Sequence, residues 1–467
     1  MLTGKPKSTF TVFAMVSVIM VLVIWLCNVN FDRMAQSGPG WKHSSYTKEI
    51  PTNSKNPNIN INMKYEPWQE EHFNVKQQQR KQPNRTSDEE FVKRRRRVNY
   101  VCSTGQVSGN VSFVMNDKQA GIIYCSVPKA GCTFWKRVFT AVNSKNDSLR
   151  ESIRFLSREE VHSQYIQRFQ YNSTDFPKKT FPTRLIVTRD PYSRLLSSYL
   201  DKIYLPDFWI SEVVKMVKTL PNNTSSITSQ DFLRNHFNEM ANVFKNKSVI
   251  SRITTAAQSH CGKYMTFSEF AESGFENEEP HWTPIHKICN PCKFLATHIS
   301  KMETFSADAR ALLSLMQLET VMDNLDDDNA QIDEEINIIS SYNFHHFYRN
   351  VTLTFYKPCL FPKEIAYRLW YNFRWRGYID PDVDYKLPEL TDLKDIEEDF
   401  MVQVRAARKS GLQNPNKMKA TKNEFRKKAF LSLSKAMFEK LSQKYAIDFE
   451  LFGYTDIRDE LYSFYSG

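Results

Sequence analysis

The sequence predicts an α/β domain built on a central, mostly parallel sheet flanked by helices, preceded by one transmembrane helix. Two strand–loop–helix units predict the domain, one from Gly121 to Val142 and one from Arg184 to Lys202. An unbroken apolar run from Phe10 to Cys27 predicts the membrane helix. The 467 residues suffice for one large domain or two smaller ones, and 41% hydrophobic content excludes a wholly disordered chain. A net charge of +11 points to an anionic partner without separating nucleotide, nucleic acid, membrane and acidic polysaccharide.

Following Lys5 and Lys7, residues 10–27 are uncharged and about long enough to span a bilayer. A cleaved signal peptide would carry a shorter apolar region, about 7–15 residues, followed by a small-residue cleavage site. Cys27-Asn28-Val29-Asn30 is not such a site, so a retained signal anchor is expected. Glycosylation sequons at Asn84, Asn110, Asn146, Asn172, Asn222, Asn246 and Asn350 all lie beyond it, which favours a luminal body. The expected organisation is a cytosolic tail over 1–9, an anchor over 10–27, a stem over 28–97 and a luminal domain over 98–467. This is the topology of a single-pass type II membrane protein. The stem is rich in Asn, Gln, Lys and Pro and has no apolar periodicity, so it is expected to be disordered. It ends in Lys93-Arg94-Arg95-Arg96-Arg97, read first as a solvated charge run and second as a site for a basic-specific protease.

The first unit reads Gly121-Ile-Ile-Tyr-Cys-Ser-Val127, then Pro128-Lys-Ala-Gly-Cys-Thr133, then a helical stretch from Phe134. A strand, a tight glycine-containing loop and a helix aim free backbone N–H groups at the loop, which suits a phosphate. Lys129 adds a mobile charge and Thr133 a hydroxyl. The loop departs from G-x-x-x-x-G-K-[ST]: it is shorter, and its lysine precedes the glycine. In the second unit the strand Arg184–Thr188 runs directly into Arg189, with Asp190 placed as N-cap and Pro191 as first helical residue. Leu195, Leu196, Tyr199, Leu200 and Ile203 form the buried stripe; Arg194, Ser197 and Asp201 form the polar side. Arg189 with Ser197 can grip a second phosphate. The plainer reading pairs Arg189 with Asp190 as a structural cap.

Together the units resemble a known family. Pro128-Lys129-x-Gly131-Cys132-Thr133-x-Trp135-Lys136-Arg137 is similar to the 5′-phosphosulfate loop of the Golgi carbohydrate sulfotransferases related to the chondroitin and dermatan 4-O-sulfotransferases. Arg189-Asp-Pro-x-x-Arg-Leu-x-Ser197-x-x-x-x-Lys202 resembles that family's 3′-phosphate motif. Further echoes are His281-Trp282-x-Pro284, Cys289-Asn-Pro-Cys292, Lys301-Met-Glu-Thr304 and Asp448-Phe-Glu-Leu-Phe-Gly-Tyr454. The chain departs from the pattern at Ala130-Gly131, and over 222–256 and 356–432, which bears on the acceptor. The resemblance implies a P-loop-like nucleotide-binding fold and sulfuryl transfer from 3′-phosphoadenylyl sulfate to a glycan hydroxyl. The acceptor would be acidic or contain N-acetylhexosamine, the membrane that of the Golgi, and nucleic acid no partner. It places Pro128, Lys129, Ala130, Gly131, Cys132, Thr133 and Phe134 at the 5′-phosphate and Arg189, Arg194 and Ser197 at the 3′-phosphate. Lys129 would stabilise charge on the leaving phosphate. No metal is expected, since Lys and Arg can neutralise the donor's phosphates.

For the base that takes the acceptor proton, His281 comes first and Glu303 second, ahead of His260, His286 and His298; the plainer reading stacks His281 on Trp282. Of eight cysteines, Cys27 belongs to the anchor; Cys125 and Cys132 are expected to be free. Cys102, Cys261, Cys289, Cys292 and Cys359 are the disulfide candidates in an oxidising lumen, ahead of a zinc site from Cys261, Cys289 and Cys292. Two other functions compete, the first sharing the membrane topology and the second consistent with the basic charge. A Golgi glycosyltransferase would use Asp326-Asp327-Asp328 as a metal motif, although that run also reads as an exposed loop. A lectin-like binder of acidic glycans would need no donor.

Overall fold

The computed structural model describes residues 85–143, 161–162, 180–209, 212, 216, 265–318, 328–348 and 362–458. All fall in the compact unit Arg80–Gly467. The tail, the run Phe10–Cys27 and the stem through residue 84 lie outside the described residues. So do every sequon except that of Asn110, which is exposed. Among the described residues no helix is long and apolar enough to cross a membrane.

Helical structure is already present before residue 98. Helix α1 (Arg85–Ser103) takes in the basic run that was expected to end a disordered stem. Phe91, Val98 and Val101 give it an apolar edge, exposed by only 4%, 1% and 3%. Arg94 shares that edge and is buried, so the run is solvated only in part. Its guanidinium donates to Asp308 Oδ2 at 2.7 Å, to the Ile299 carbonyl at 3.0 Å and to Thr304 Oγ1 at 3.0 Å.

The sheet has four strands in the order β1 (Val114–Asp117), β2 (Ile122–Cys125), β3 (Thr183–Thr188), β4 (His298–Lys301). The hairpin pair β1–β2 is antiparallel, while β2–β3 and β3–β4 are parallel. The sheet is therefore mixed, with a parallel centre. β2 and β3 are wholly buried, and β2 with the middle of β3, Leu185–Val187, is predominantly apolar, as strands covered on both faces tend to be. They are direct neighbours, with Ile122 opposite Thr183 and Cys125 opposite Ile186. Helix α2 (Cys132–Asn143) leaves the loop after β2 and buries Trp135, Val138 and Phe139 in the core around the strands.

Helix α3 (Pro191–Ser198) leaves β3 and carries the chain into a second, helical core. Asp190 caps it by accepting from Ser193 N at 2.8 Å, and Pro191 stands at the first position. The expected stripe Leu195, Leu196, Tyr199, Leu200 and Ile203 is buried. α3 then widens into a π-helical turn, Tyr199–Tyr204. Around that stripe pack α4 (Phe267–Phe275), α6 (Asp328–Tyr348), α7 (Pro362–Arg376), α8 (Leu393–Gly411), α9 (Pro415–Leu431) and α10 (Lys435–Phe452); α5 (Phe305–Leu315) belongs to the sheet core. The charged stretch after Pro381 forms α8 and the first half of α9.

Two disulfides, Cys102–Cys292 and Cys125–Cys289, tie α1 and the end of β2 to the turn 289–292. Cys125 is thus not free. Burial in a strand does not prevent pairing when the neighbouring segment supplies a cysteine, and Val111 bridges to Cys289 to bring it there. Cys132 is a free thiol. Both sulfurs of Cys289-Asn-Pro-Cys292 are consumed, which removes two ligands of the zinc alternative. Cys261 and Cys359 lie outside the described residues.

Candidate nucleotide site at the ends of the parallel strands

β2 and β3 run parallel, so the loop Ser126–Gly131 and the Arg189–Asp190 corner emerge at the same edge of the sheet. Arg189 Nη1 donates to the Lys129 carbonyl at 3.1 Å, joining the two motifs directly. The loop turns by placing two residues in the left-handed region, Lys129 at φ 65° and Gly131 at φ 66°. Gly131 has a steric reason as well: a Cβ there would stand 2.8 Å from Phe305 Cε2 and 3.1 Å from Met302 Sδ. Lys129 has no such exemption and carries a conformational cost of about 1–2 kcal/mol, the kind of strain that clusters at functional sites.

The Lys129 ammonium is held by Asp201 Oδ2 at 2.8 Å. Asp201 comes from the π-helical turn after α3 and is 5% exposed. Lys202 stands 3.7 Å from the same carboxylate, pairs with Asp207 and lies over the Phe208 ring at 4.8 Å. The edge of Phe208 meets His281, ring centroids 5.0 Å apart. A continuous row thus runs from Lys129 to His281.

Arg194 is placed differently from the expectation. It is 1% exposed and donates to three carbonyls: Pro128 at 2.9 Å, Thr283 at 2.7 Å and Pro280 at 2.6 Å. It therefore positions other parts of the site, clamping the His281 turn to the Lys129 loop. Ser197, one turn on, is 6% exposed. The plainer reading of Arg189 does not match the geometry either. Asp190 is taken by Ser193 N and by Arg426, whose Nη2 lies 3.0 Å from Oδ1. Arg189 has no ion-pair partner among the described residues. Burial, then the neighbouring Arg376, pushes its guanidinium below the ordinary arginine range.

His281 does not stack on Trp282. Its Nδ1 lies 2.8 Å from Glu279 Oε1, and its backbone N donates to Oε2 at 2.7 Å. Burial raises the Glu279 carboxyl to about 7. A carboxylate set against imidazole Nδ1 is the arrangement that orients a general base. The other candidates are placed elsewhere. Glu303 accepts from Asp190 N at 3.1 Å and from Tyr454 OH at 3.0 Å, supporting the start of α3. His286 is 3% exposed and bound to Asp448 at 2.8 Å. Burial, then Arg95 and Arg184, lowers His298 to about 4. His260 lies outside the described residues.

Of the remaining loop residues, Ala130 is fully buried, Phe134 packs edge-on against Phe305, and Cys132 opens α2. Thr133 Oγ1 lies 3.3 Å from His162 Nε2, and Lys136 Nζ lies 3.1 Å from His162 Nδ1. An ammonium can only donate, so Nδ1 accepts, Nε2 carries the proton, and the Thr133 hydroxyl hydrogen is left to point elsewhere. Sequence reasoning missed His162, which sits in no motif. In the sequence Asp201 stands out only as part of a polar face. Asp328 of the acidic triplet opens α6, and its two neighbours lie outside the described residues.

Residues 111–354, just over half the chain, match the family described as the sulfotransferase family. Over 226 residues the chain is 26% identical to carbohydrate sulfotransferase 12 of Mus musculus, covering 45% of this chain and 49% of that protein. It is 25% identical over 274 residues to carbohydrate sulfotransferase 12 of Xenopus laevis, covering 50% and 59%. Against carbohydrate sulfotransferase 9 of Homo sapiens it is 25% identical over 221 residues, covering 44% and 41%. The chain spans about half the length of these curated relatives. No solved structure matches it. Both strand–loop–helix motifs and the His281 turn lie inside the matched stretch, and by that match the chain belongs to the sulfotransferase family.

Proposed function

We propose that the chain is a carbohydrate sulfotransferase, moving a sulfuryl group from 3′-phosphoadenylyl sulfate to a hydroxyl of a glycan. The observation that carries this reading is the junction of Lys129 and Arg189 at one edge of the sheet, within the family-matched stretch. The P-loop-like reading of the fold draws on the same geometry: a loop and a helix start at the carboxyl ends of neighbouring parallel strands. The relatives' names support a glycan acceptor.

The residues present suit a bisphosphorylated adenylyl donor. The loop after β2 turns at Lys129 and Gly131 towards Arg189, a half-buried cation with no ion-pair partner among the described residues. When bound, the donor supplies the sulfuryl group and a phosphate leaving group. The start of α2, from Gly131 to Phe134, offers backbone N–H groups and the positive helix end to the 5′ side. Lys129, steered by Asp201, places its ammonium where negative charge gathers on the leaving oxygen. Arg189 and Ser197 hold the 3′-phosphate. His281 takes the acceptor's proton at Nε2, while ionised Glu279 holds the proton at Nδ1 and stabilises the imidazolium. No step in this reading calls on a metal.

The reading extends to location: a single-pass type II protein of the Golgi membrane with its domain in the lumen. The run Phe10–Cys27, the sequons and two disulfides, which persist in oxidising compartments, support it.

The test is incubation of the full chain, solubilised in detergent, with labelled donor and a panel of acidic and N-acetylhexosamine-containing glycans. Label should pass to at least one glycan and fail to do so with Lys129→Ala. Transfer from a nucleotide sugar with manganese, and none from the labelled donor, would overturn the reading.

A further inference from the structure

The family match ends at residue 354, yet helices beyond it reach the corner where β3 ends. Arg376 is the last residue of α7 and its side chain is only 9% exposed. Its Nε donates to Asn372 Oδ1 at 2.7 Å and its Nη1 to Glu335 Oε1 at 3.3 Å, while the buried Nη2 has no partner. From α9, Arg426 pairs with Asp190, and its buried Nε likewise has no partner. Lys422 lies one turn before Arg426 on the same helix, at the solvent-facing rim. α7 and α9 are locked against each other: Trp375 stacks on Phe425 with centroids 4.5 Å apart, and a Cβ on Gly377 would meet Lys422 Cβ at 3.2 Å.

Four cations, Arg189, Arg376, Lys422 and Arg426, therefore gather at one corner. Two carboxylates answer them directly, Glu335 on Arg376 and Asp190 on Arg426. Glu303 contributes from the far side, with both oxygens engaged by Asp190 N and Tyr454 OH. Arg189 and Lys422 have no ion-pair partner among the described residues. Partial burial, then the charges of Arg189 and Arg376, pushes the Lys422 ammonium below the ordinary lysine range. Like charges brought this close repel, and an anion placed between them reverses the sign of the interaction. Two uncompensated cations call for two negative charges, and two unpartnered guanidinium nitrogens call for acceptor oxygens. A phosphate monoester supplies both.

We propose that Arg376, Lys422 and Arg426 join Arg189 in a site for a phosphate-monoester dianion, the 3′-phosphate of the donor, so that α7 and α9 build half of the donor pocket. The proposal rests on the sulfotransferase reading. A sulfate ester on an acidic acceptor shares the oxyanion chemistry, but it carries one charge and would have no need of Arg189.

Binding of adenosine 3′,5′-bisphosphate and of adenosine 5′-phosphate would be measured by competition with labelled donor, on the detergent-solubilised full chain. Lys422 is at the rim, so Lys422→Gln should fold. It should weaken the bisphosphate about tenfold and leave the monophosphate unchanged. Lys422→Arg should restore most of the loss. Arg376→Gln, compared by the same ratio of the two nucleotides, should show the same selective loss, and the ratio is insensitive to the fraction of chain folded. Unchanged preference in Lys422→Gln, or equal loss of both nucleotides, would overturn the assignment. So would a loss confined to KM for a sulfated glycan. If the wild-type chain binds neither nucleotide, the sulfotransferase reading itself falls; if it discriminates and Lys422→Gln discriminates equally, only the site assignment falls.

Discussion

Lys129 combines a left-handed backbone with a side chain anchored at 2.8 Å to a buried carboxylate, so its ammonium has a fixed place at the mouth of the loop. Lys129→Ala should lower kcat by about 10²–10³, the scale for removing one transition-state donor, with a much smaller change in donor Kd. Single-turnover rates beside equilibrium binding would check this; an equal loss in both would make Lys129 a ground-state ligand. Glu279 gives a pH prediction. Its folded value of about 7 lies above the ordinary 4.5, so the fold favours the protonated form. Its contribution to stability is present below pH 4.5 and is lost as the pH rises through about 7. The ionised form is the one that orients His281, so kcat should rise along an acidic limb near pH 7. Glu279→Gln should lower kcat, flatten that limb and gain stability relative to wild type between pH 4.5 and 7. A limb that persists unchanged in the variant would assign it to another group.

Among the elements, α1 and α3 each work through one buried arginine. Arg94 of α1 answers Asp308, which also accepts from Ser300 Oγ, Lys301 N and Thr304 Oγ1. Removing the arginine leaves a carboxylate 3% exposed without its cation. Arg94→Ala should therefore cost about 3–5 kcal/mol, read as a fall in denaturation midpoint. In the folded chain the helical run 93–97 should also resist a basic-specific protease, and Arg94→Ala should expose it to cutting. Arg194 of α3 holds three carbonyls that would be left buried. Arg194→Ala should cost about 3 kcal/mol or more and lower kcat through both Lys129 and His281, without removing the preference for a 3′-phosphate. Loss of that preference would return Arg194 to the ligand.

At the scale of the molecule, a parallel pair of strands sends two loops to one edge, and the two cores meet there. The sheet core presents the Lys129 loop. The helical core presents Asp201, the His281 turn and, through α7 and α9, the cations around Arg189. The two disulfides close loops over sequence separations of 190 and 164, and both end in the turn 289–292 just after the His281 turn. In the chain-entropy account each restrains the unfolded chain by about 5 kcal/mol when taken alone. For the proposed topology, glycosidase treatment of the expressed chain should raise its gel mobility, and added protease should trim the N-terminus from the outside of intact vesicles. An unshifted band together with a protected N-terminus would overturn it.

The sequence by itself determined the local grammar: strand Ile122–Cys125, strand Thr183–Thr188, the Asp190–Pro191 helix start and the apolar stripe to Ile203. These are short-range effects of side-chain period, capping and proline geometry, and they are legible in any window of about ten residues. The two segments that resemble the family's phosphate motifs were legible for the same reason, being contiguous. Only the tertiary structure decided which polar groups face one another. Arg194 looked like a phosphate ligand and became a clamp because three carbonyls from two other segments surround it. Cys125 looked free and found Cys289 across 164 residues. Asp201, His162, Arg376, Lys422 and Arg426 carry no local signature, since what brings each towards the site is packing against segments far along the chain. Hydrogen bonds and ion pairs depend on distances of a few ångströms, and only the packed chain sets those distances.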